Sequence, residues 1–131
     1  MAKYAFPAVF HQEGELYSVS FPDVSGCFTS GNSLPDAMGM AEDALCLMLC
    51  DFEESGKTIP SPSDIKRLQS ETDDLVSLVF CDTVEYKKLY SNQAVKKTLS
   101  IPAWLNTLSK REGLNFSQVL QEGLKARLQI N

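Results

Sequence analysis

The sequence predicts an α+β fold in which an antiparallel sheet carries one long helix and a short helical module follows. Two apolar runs joined by a polar, Gly-containing loop predict paired strands. An apolar stripe between Met38 and Phe52 predicts the helix. Residues 1–86 carry 4 Lys/Arg against 15 Asp/Glu, a balance of −11, and residues 87–131 carry 8 against 2, a balance of +6. The chain therefore holds an acidic part and a basic part, which prefer partners of opposite charge.

The first thirty residues predict a three-stranded antiparallel meander. Lys3–Phe10 and Leu16–Pro22 are β-type runs, and the polar residues 12–15 between them form a loop of hairpin length. The segment Asp23–Gly26 has the composition of a turn, and Cys27–Ser30 is then a short third strand. One face of this meander is apolar and needs a covering element.

A long helix is predicted to supply that cover. Ser33 followed three residues later by Asp36 has the form of a capping box, and Gly56 stands where helices commonly end. The residues expected on the buried side are spaced by three and four: Met38, Ala41, Leu45, Met48 and Phe52. We expect this stripe to pack on the meander.

A connector and a further strand follow the helix. Lys57–Ser63 contains two prolines, and Ser63 is expected to cap a short helical turn that reaches Leu68. The run Leu75–Cys81 is almost continuously apolar, which predicts a covered strand that completes the sheet. Thr83–Gln93 has weak helical character. The acidic domain is thus expected to end near residue 92.

The basic part, residues 93–131, divides into three elements. Lys96–Pro102 predicts a short strand, Ala103–Glu112 a helix ended by Gly113, and Asn115 caps a second helix that runs to about Leu128. Chains below about 40 residues seldom form a stable core alone. We therefore expect a homodimer in which two copies of the strand pair as a ribbon over four helices, and a tetramer is left open.

Residues 96–102, Gly113 and residues 115–117 resemble the ribbon-helix-helix family of DNA-binding proteins. The resemblance implies that the ribbon enters the major groove and that the start of the second helix holds a phosphate. The DNA-contact residues it implies are Lys96, Lys97, Thr98, Ser100, Asn115, Phe116 and Ser117. The dimer core would contain Leu99, Ile101, Trp104, Leu108, Val119, Leu120 and Leu124. The alternative is a dimerisation hairpin whose basic charges are only solvated.

Residues 6–10, 17–31 and 59–63 resemble the HicB antitoxin family. The resemblance implies that residues 1–92 form a truncated ribonuclease-H-like β-β-β-α-β domain that masks a small basic toxin, HicA, which cleaves mRNA. It also implies that the basic part represses the operon by binding operator DNA. A basic toxin is complementary to a module of charge −11. The candidate contact residues are the acidic groups Glu13, Glu15, Asp36, Asp43 and Glu54.

Other functions remain open from the residues alone. One is a stand-alone repressor whose N-terminal domain senses a ligand or oligomerises, and another is a nuclease that uses Asp23 and Asp82. Catalysis is not expected, because the surroundings of those carboxylates are acidic and repel a nucleic acid. Cys46 and Cys50 share a helix face, but buried thiols are commoner than metal ligands. We expect a cytoplasmic protein with no cofactor, metal or membrane span.

Overall fold

The computed structural model describes residues 2–90 and 93–130 and divides the chain into two units, Met1–Gln93 and Ala94–Asn131. The first unit contains a four-stranded antiparallel sheet of order β3-β2-β1-β4. Its strands are β1 (Lys3–Glu13), β2 (Leu16–Ser20), β3 (Phe28–Gly31) and β4 (Leu75–Asp82). Its helices are α1 (Leu34–Ser55), α2 (Ile65–Ser70) and α3 (Thr83–Tyr90). The second unit contains α4 (Ala103–Arg111) and α5 (Phe116–Leu128). The predicted meander, long helix and fourth strand are confirmed.

The β1–β2 hairpin has a tighter turn than predicted. The strands pair as far as Glu13 opposite Leu16, so Gly14 and Glu15 alone form the connection. Gly14 has a φ of 63°, a left-handed conformation that glycine adopts at no steric cost. The expected four-residue loop was too long because its first two residues belong to β1, which lengthens that strand at the hairpin tip.

The long helix begins and ends where the sequence predicts. The Ser33 hydroxyl accepts a hydrogen bond from the Asp36 amide at 3.2 Å, and the carboxylate of Asp36 accepts one from the Asn32 amide at 2.9 Å. Gly56 follows the last turn with a φ of 70°. These local interactions satisfy amide and carbonyl groups that a helix leaves without partners at its ends.

The buried side of α1 is rotated relative to the predicted stripe. Ala37 and Leu49 are fully buried, whereas Met38 is 40% exposed. The cause is a close approach to β3: a Cβ atom added to Gly31 would lie 2.4 Å from the Ala37 nitrogen. Only small side chains fit between the first turns of α1 and the sheet, so Ala37 and not Met38 faces inward.

The connector corrects the role predicted for Ser63. Its backbone amide donates to Asp23 Oδ2 at 2.9 Å, and its hydroxyl donates to the other oxygen of the same carboxylate. Asp64 caps α2 instead, since its Oδ1 accepts from the Lys66 amide at 3.0 Å. The Asp23–Ser63 pair thus ties the connector to the turn after β2.

The fourth strand lies at an edge of the sheet, which corrects the prediction of a covered strand. Val79 and Cys81 are buried beneath α1, but Leu78 and Phe80 are 52% and 53% exposed on the opposite face. An apolar run cannot by itself tell a strand covered on two faces from one covered on one. The helix that follows ends at Tyr90; residues 91 and 92 of the predicted 83–93 helix lie outside the described residues.

The second unit has the two predicted helices with their predicted limits. The Asn115 side chain accepts from the Gln118 amide at 3.1 Å, and Gly113 has a φ of 69° after α4. The strand predicted for residues 96–102 is absent from the single chain, in which this unit has no described strand to pair with that segment. None of residues 93–130 is buried. Across the described parts of both units, no helix is long and apolar enough to cross a membrane.

Candidate interaction surfaces

The five acidic candidates for partner contact are exposed but do not form one patch. Glu13 and Glu15 lie together at the β1–β2 hairpin tip. Asp36, Asp43 and Glu54 lie on α1, whose rise of about 1.5 Å per residue separates the first from the last by roughly 27 Å. Asp36 also caps the helix, whereas Asp43 and Glu54 lie exposed farther along it.

The hairpin carboxylates share their surface with the single histidine. His11 lies in β1, where its Nδ1 is 2.9 Å from Asp74 Oδ1 and its Nε2 is 3.7 Å from Glu13 Oε1. The hydrogen bond with Asp74 is the main cause that raises the pKa of His11 above its ordinary value, and the charge of Glu13 adds to it. The imidazole is exposed, so this cluster is solvated. His11 thus lies exposed in β1, near the hairpin tip.

A second acidic surface surrounds β4 and was missed from the sequence. Residues 71–85 carry five Asp/Glu and no Lys/Arg. We call this region the β4 surface. It consists of the exposed apolar side chains Leu78 and Phe80 and of the flanking carboxylates Asp73, Asp74 and Asp82. The sequence signal was present as an apolar run between acidic residues. That apolar run predicted a buried strand, whereas the sheet order shows that the strand lies at an edge.

A buried carboxylate joins α1 to α3. Glu53 Oε2 accepts hydrogen bonds from the Tyr4 hydroxyl at 2.8 Å and the Thr83 hydroxyl at 3.0 Å, and Oε1 lies 3.0 Å from Lys87 Nζ. Burial by itself raises the pKa of Glu53, but its hydrogen bonds, among them those from Tyr4, Lys87 and Thr83, outweigh burial and lower the pKa to about 2. Glu53 therefore stays ionised and holds the start of α3.

The two carboxylates considered for a nuclease have structural roles. Asp23 accepts both hydrogen bonds from Ser63, and Asp82 Oδ1 accepts from the amides of Val84 and Glu85 at 3.1 and 3.2 Å. Asp82 thus caps the first turn of α3. Among the residues that the structure describes, no three His, Cys, Asp or Glu side chains converge as a metal site would require.

All four cysteines are free and buried. Cys46 and Cys50 lie on the inner side of α1, where Cys50 Sγ donates to the Thr83 carbonyl at 3.8 Å. Burial raises the pKa of the Cys27 thiol to about 11 and also raises that of Cys81. Neutral thiols that fill space in the core are what these surroundings favour, as the sequence predicts.

The second unit exposes the side chains that were predicted to form a dimer core. Trp104 and Leu108 on α4 are 65% and 47% exposed, and Leu124 on α5 is 54% exposed. The other members, also exposed, are Leu99, Ile101, Val119 and Leu120. Leu105 and Leu114 are further exposed apolar residues of this unit. A single copy of this unit therefore leaves a large apolar surface exposed, as either interpretation of the basic part requires.

The predicted DNA-contact residues occupy two short segments of this unit. Lys96, Lys97, Thr98 and Ser100 are exposed in the segment before α4. Asn115 caps α5, and Phe116 and Ser117 form its first turn, whose amide groups point out of the helix end. The structure thus places one group on a segment that is neither helix nor strand and the other at a helix N-terminus, within the same unit.

Comparison with known proteins identifies the family. A model of the family described as HicB-like antitoxin of bacterial toxin–antitoxin systems matches residues 6–112. This chain belongs to the HicB-like antitoxin family. The predicted membership is confirmed, and the matched range covers the β-sheet, α1 and the start of the second unit.

Relatives of this HicB-family chain include solved structures. It is 30% identical to a chain of a toxin–antitoxin complex from Streptococcus pneumoniae, with a TM-score of 0.59 over 96% of this chain and 99% of that one. It shares 33% identity over 58 residues with antitoxin HicB 2 of Photorhabdus laumondii, which is 44% of this chain and 42% of that protein. The crystal structure of antitoxin HicB from Burkholderia pseudomallei, 19% identical with a TM-score of 0.55 over 95% and 96% of the two chains, shows the same fold.

Proposed function

We propose that this HicB-family antitoxin binds and masks a small basic mRNA-cleaving toxin of the HicA type and represses its own operon by binding operator DNA. The observation that carries the proposal is the division of opposite charge, −11 in residues 1–86 and +6 in residues 87–131. One unit then suits a cationic protein and the other a polyanion. The similarity to a chain of the Streptococcus pneumoniae toxin–antitoxin complex supports the first half.

Masking of the toxin follows from charge complementarity. A protein that grips RNA must present cationic side chains to phosphates, and an acidic antitoxin competes for that same surface. Complementary charge also accelerates association and selects the partner. The acidic side chains at the hairpin tip, on α1 and around β4 supply this field, and the antitoxin acts by binding rather than by catalysis. The order β1-β2-β3-α1-β4, with the short helix α2 between α1 and β4, supports a truncated ribonuclease-H-like domain.

Operator binding is proposed for a ribbon-helix-helix homodimer of the second unit. Its helices expose an apolar side that a second copy would bury, and Leu99 and Ile101 would join that core from the ribbon. Strand alternation then turns Lys96, Thr98 and Ser100 to the base edges of the major groove. The amides at the start of α5 would hold a phosphate. The protein would act in the cytoplasm as a dimer, or as a tetramer of two dimers.

Two binding measurements test the proposal. The gene beside this one should encode a small basic protein that co-purifies with the antitoxin, and the complex should cleave RNA far more slowly than that protein alone. Full-length antitoxin should bind a palindromic fragment of its own promoter. Operator binding without toxin binding would identify the protein as a stand-alone repressor. Cleavage of RNA by the antitoxin itself would contradict the proposal outright.

A further inference from the structure

The outer edge of β4 presents backbone hydrogen-bonding groups away from the sheet. β4 is the last strand in the order β3-β2-β1-β4 and pairs only with β1. The Val76 amide donates to Gln69 Oε1 at 3.0 Å, so it points away from β1. Alternation along a strand then points the amides of Leu78 and Phe80 the same way. Pro7 lies opposite Leu78 and has no amide hydrogen. This is consistent with a pair that exchanges no backbone hydrogen bonds, in which the Leu78 amide points outward.

Little protects this edge from another strand. Gln69 covers it at Val76, but the outward amides of Leu78 and Phe80 meet no further strand in the described residues. Proteins commonly guard an exposed edge with Lys, Pro or a bulge, and Leu75–Asp82 contains neither Lys nor Pro. The side chains of Leu78 and Phe80 are about half exposed beside it. An edge of this kind accepts an added strand through main-chain hydrogen bonds.

Charge decides what kind of strand fits. The edge lies within residues 71–85, which carry five acidic and no basic residues. A second copy paired antiparallel about Leu78 would bring Asp74 opposite Asp82 of the other copy, and like charges directly opposite one another are destabilising. A strand with an apolar centre and cationic ends would instead meet the two acidic ends with opposite charge.

We propose that the outer edge of β4 is the docking site for an extended strand of a cationic partner protein, which extends the sheet beside Leu78 and Phe80. The inference rests on the proposed function, since that cationic partner is the toxin. Backbone pairing supplies affinity, and the two exposed apolar side chains receive alternate side chains of the added strand. Asp73, Asp74 and Asp82 pair with Lys or Arg at its ends.

Two matched variants of the full chain separate backbone pairing from side-chain contact. Leu78→Pro removes the outward amide hydrogen but leaves the ladder with β1, in which that amide takes no part. Leu78→Ala removes most of the side chain and keeps the amide. We expect Leu78→Pro to weaken binding of the purified toxin at least about tenfold more than Leu78→Ala does. Far-ultraviolet circular dichroism and thermal unfolding check that both variants fold.

Hydrogen exchange of the wild-type complex tests the site without any substitution. The amides of Leu78 and Phe80 should exchange much more slowly in the complex than in the antitoxin alone. The inference is overturned if the toxin binds without protecting these amides and binds the two Leu78 variants with equal affinity. The proposed function would still stand in that case. The inference is also overturned if these amides are protected without toxin and the protein assembles beyond the homodimer of the second unit in a way that Leu78→Pro abolishes. A second copy would then occupy the edge. Failure of the wild-type protein to bind toxin refutes the proposed function itself.

Discussion

The ammonium group of Lys87 lies 3.0 Å from Oε1 of Glu53, which links α3 to the last turn of α1. The same carboxylate accepts hydrogen bonds from Tyr4 in β1 and from Thr83, which is fully buried. Three elements that are distant in sequence thus meet at one side chain that is only 11% exposed. We expect Glu53 to determine how α3 leaves the sheet, and therefore how the chain begins its path toward the second unit.

Loss of this carboxylate should destabilise the first unit. Glu53→Gln keeps the size and shape of the side chain. It removes the negative charge that pairs with Lys87 and accepts hydrogen bonds from the hydroxyl groups of Tyr4 and Thr83. We expect the free energy of unfolding to fall by about 1–3 kcal/mol, since hydrogen bonds to buried charged groups have that magnitude. Urea unfolding followed by circular dichroism measures the change. The neighbouring exposed Glu54→Gln is the matched control and should stay within about 0.5 kcal/mol of wild type.

The stability of the fold should depend on pH through the same group. Folding lowers the pKa of Glu53 from 4.5 to about 2. A carboxyl group with a lowered pKa contributes stability above its unfolded value, and that contribution, on the order of 3 kcal/mol, is lost as the pH falls from 4.5 toward 2. Urea unfolding of wild type and Glu53→Gln from pH 6 to pH 2.5 tests this. The two curves should converge at low pH, and parallel curves would contradict the assignment.

The contact between β3 and α1 should tolerate no side chain at Gly31. A Cβ atom there would lie 2.4 Å from the Ala37 nitrogen, which is backbone and cannot rotate away. We expect Gly31→Ala to reduce the free energy of unfolding by about 1–3 kcal/mol or more, as overpacking does. Gly39→Ala is the control, because a Cβ on that helical glycine meets nothing within 4 Å. Thermal unfolding of both variants should show opposite shifts, since alanine favours a helix.

The second unit should depend on self-association. Leu120→Glu places a charge on the apolar side of α5 and should convert the dimer to a monomer, because a buried unpaired charge is strongly unfavourable. Light scattering coupled to size exclusion measures the mass. Gln118→Glu adds the same charge on the opposite side of α5 and should remain dimeric. Fluorescence of the single Trp104 should shift to the blue with rising concentration in the control only.

Operator binding should report the role of the segment before α4. Lys96→Ala should weaken binding to the promoter fragment and reduce the slope of log affinity against log salt by about one unit, as loss of one phosphate contact does. Lys125→Ala, at the far end of α5, is the control and should leave the slope unchanged. A slope for Lys96→Ala equal to that of wild type removes this residue from the interface.

Local signals predicted the ends of the elements well. Ser33 and Gly56 limit α1, and Gly113 and Asn115 separate α4 from α5, because capping and left-handed backbone conformations depend on residues only a few positions apart. The predicted stripe of α1 is confirmed at Ala41 and Leu45, which are fully buried, but it was wrong at Met38, which is exposed. Periodicity sets the spacing of a stripe, but the close approach at Gly31 sets which residues of the helix fit beneath it.

The candidate surfaces divide in the same way. The opposite charges of the two parts and the spacing of apolar residues in the basic part can be read directly from the sequence. They predicted two modules with different partners. The β4 surface and the Glu53 cluster could not be predicted from the sequence. For the β4 surface the reason is that an apolar run has the same pattern in a central strand and in an edge strand. Tyr4, Glu53 and Thr83 come from positions far apart, and no local pattern relates them.

The sequence by itself determined the order of the strands and helices in the first unit, the limits of α1 and the opposite charges of the two parts, because each of these depends on neighbouring residues or on simple composition. Only the tertiary structure decided that β4 lies at the edge with Leu78 and Phe80 exposed, and that one buried carboxylate joins three elements. The physical reason is that strand order and burial result from packing between distant segments. Short-range propensities constrain that packing without specifying it.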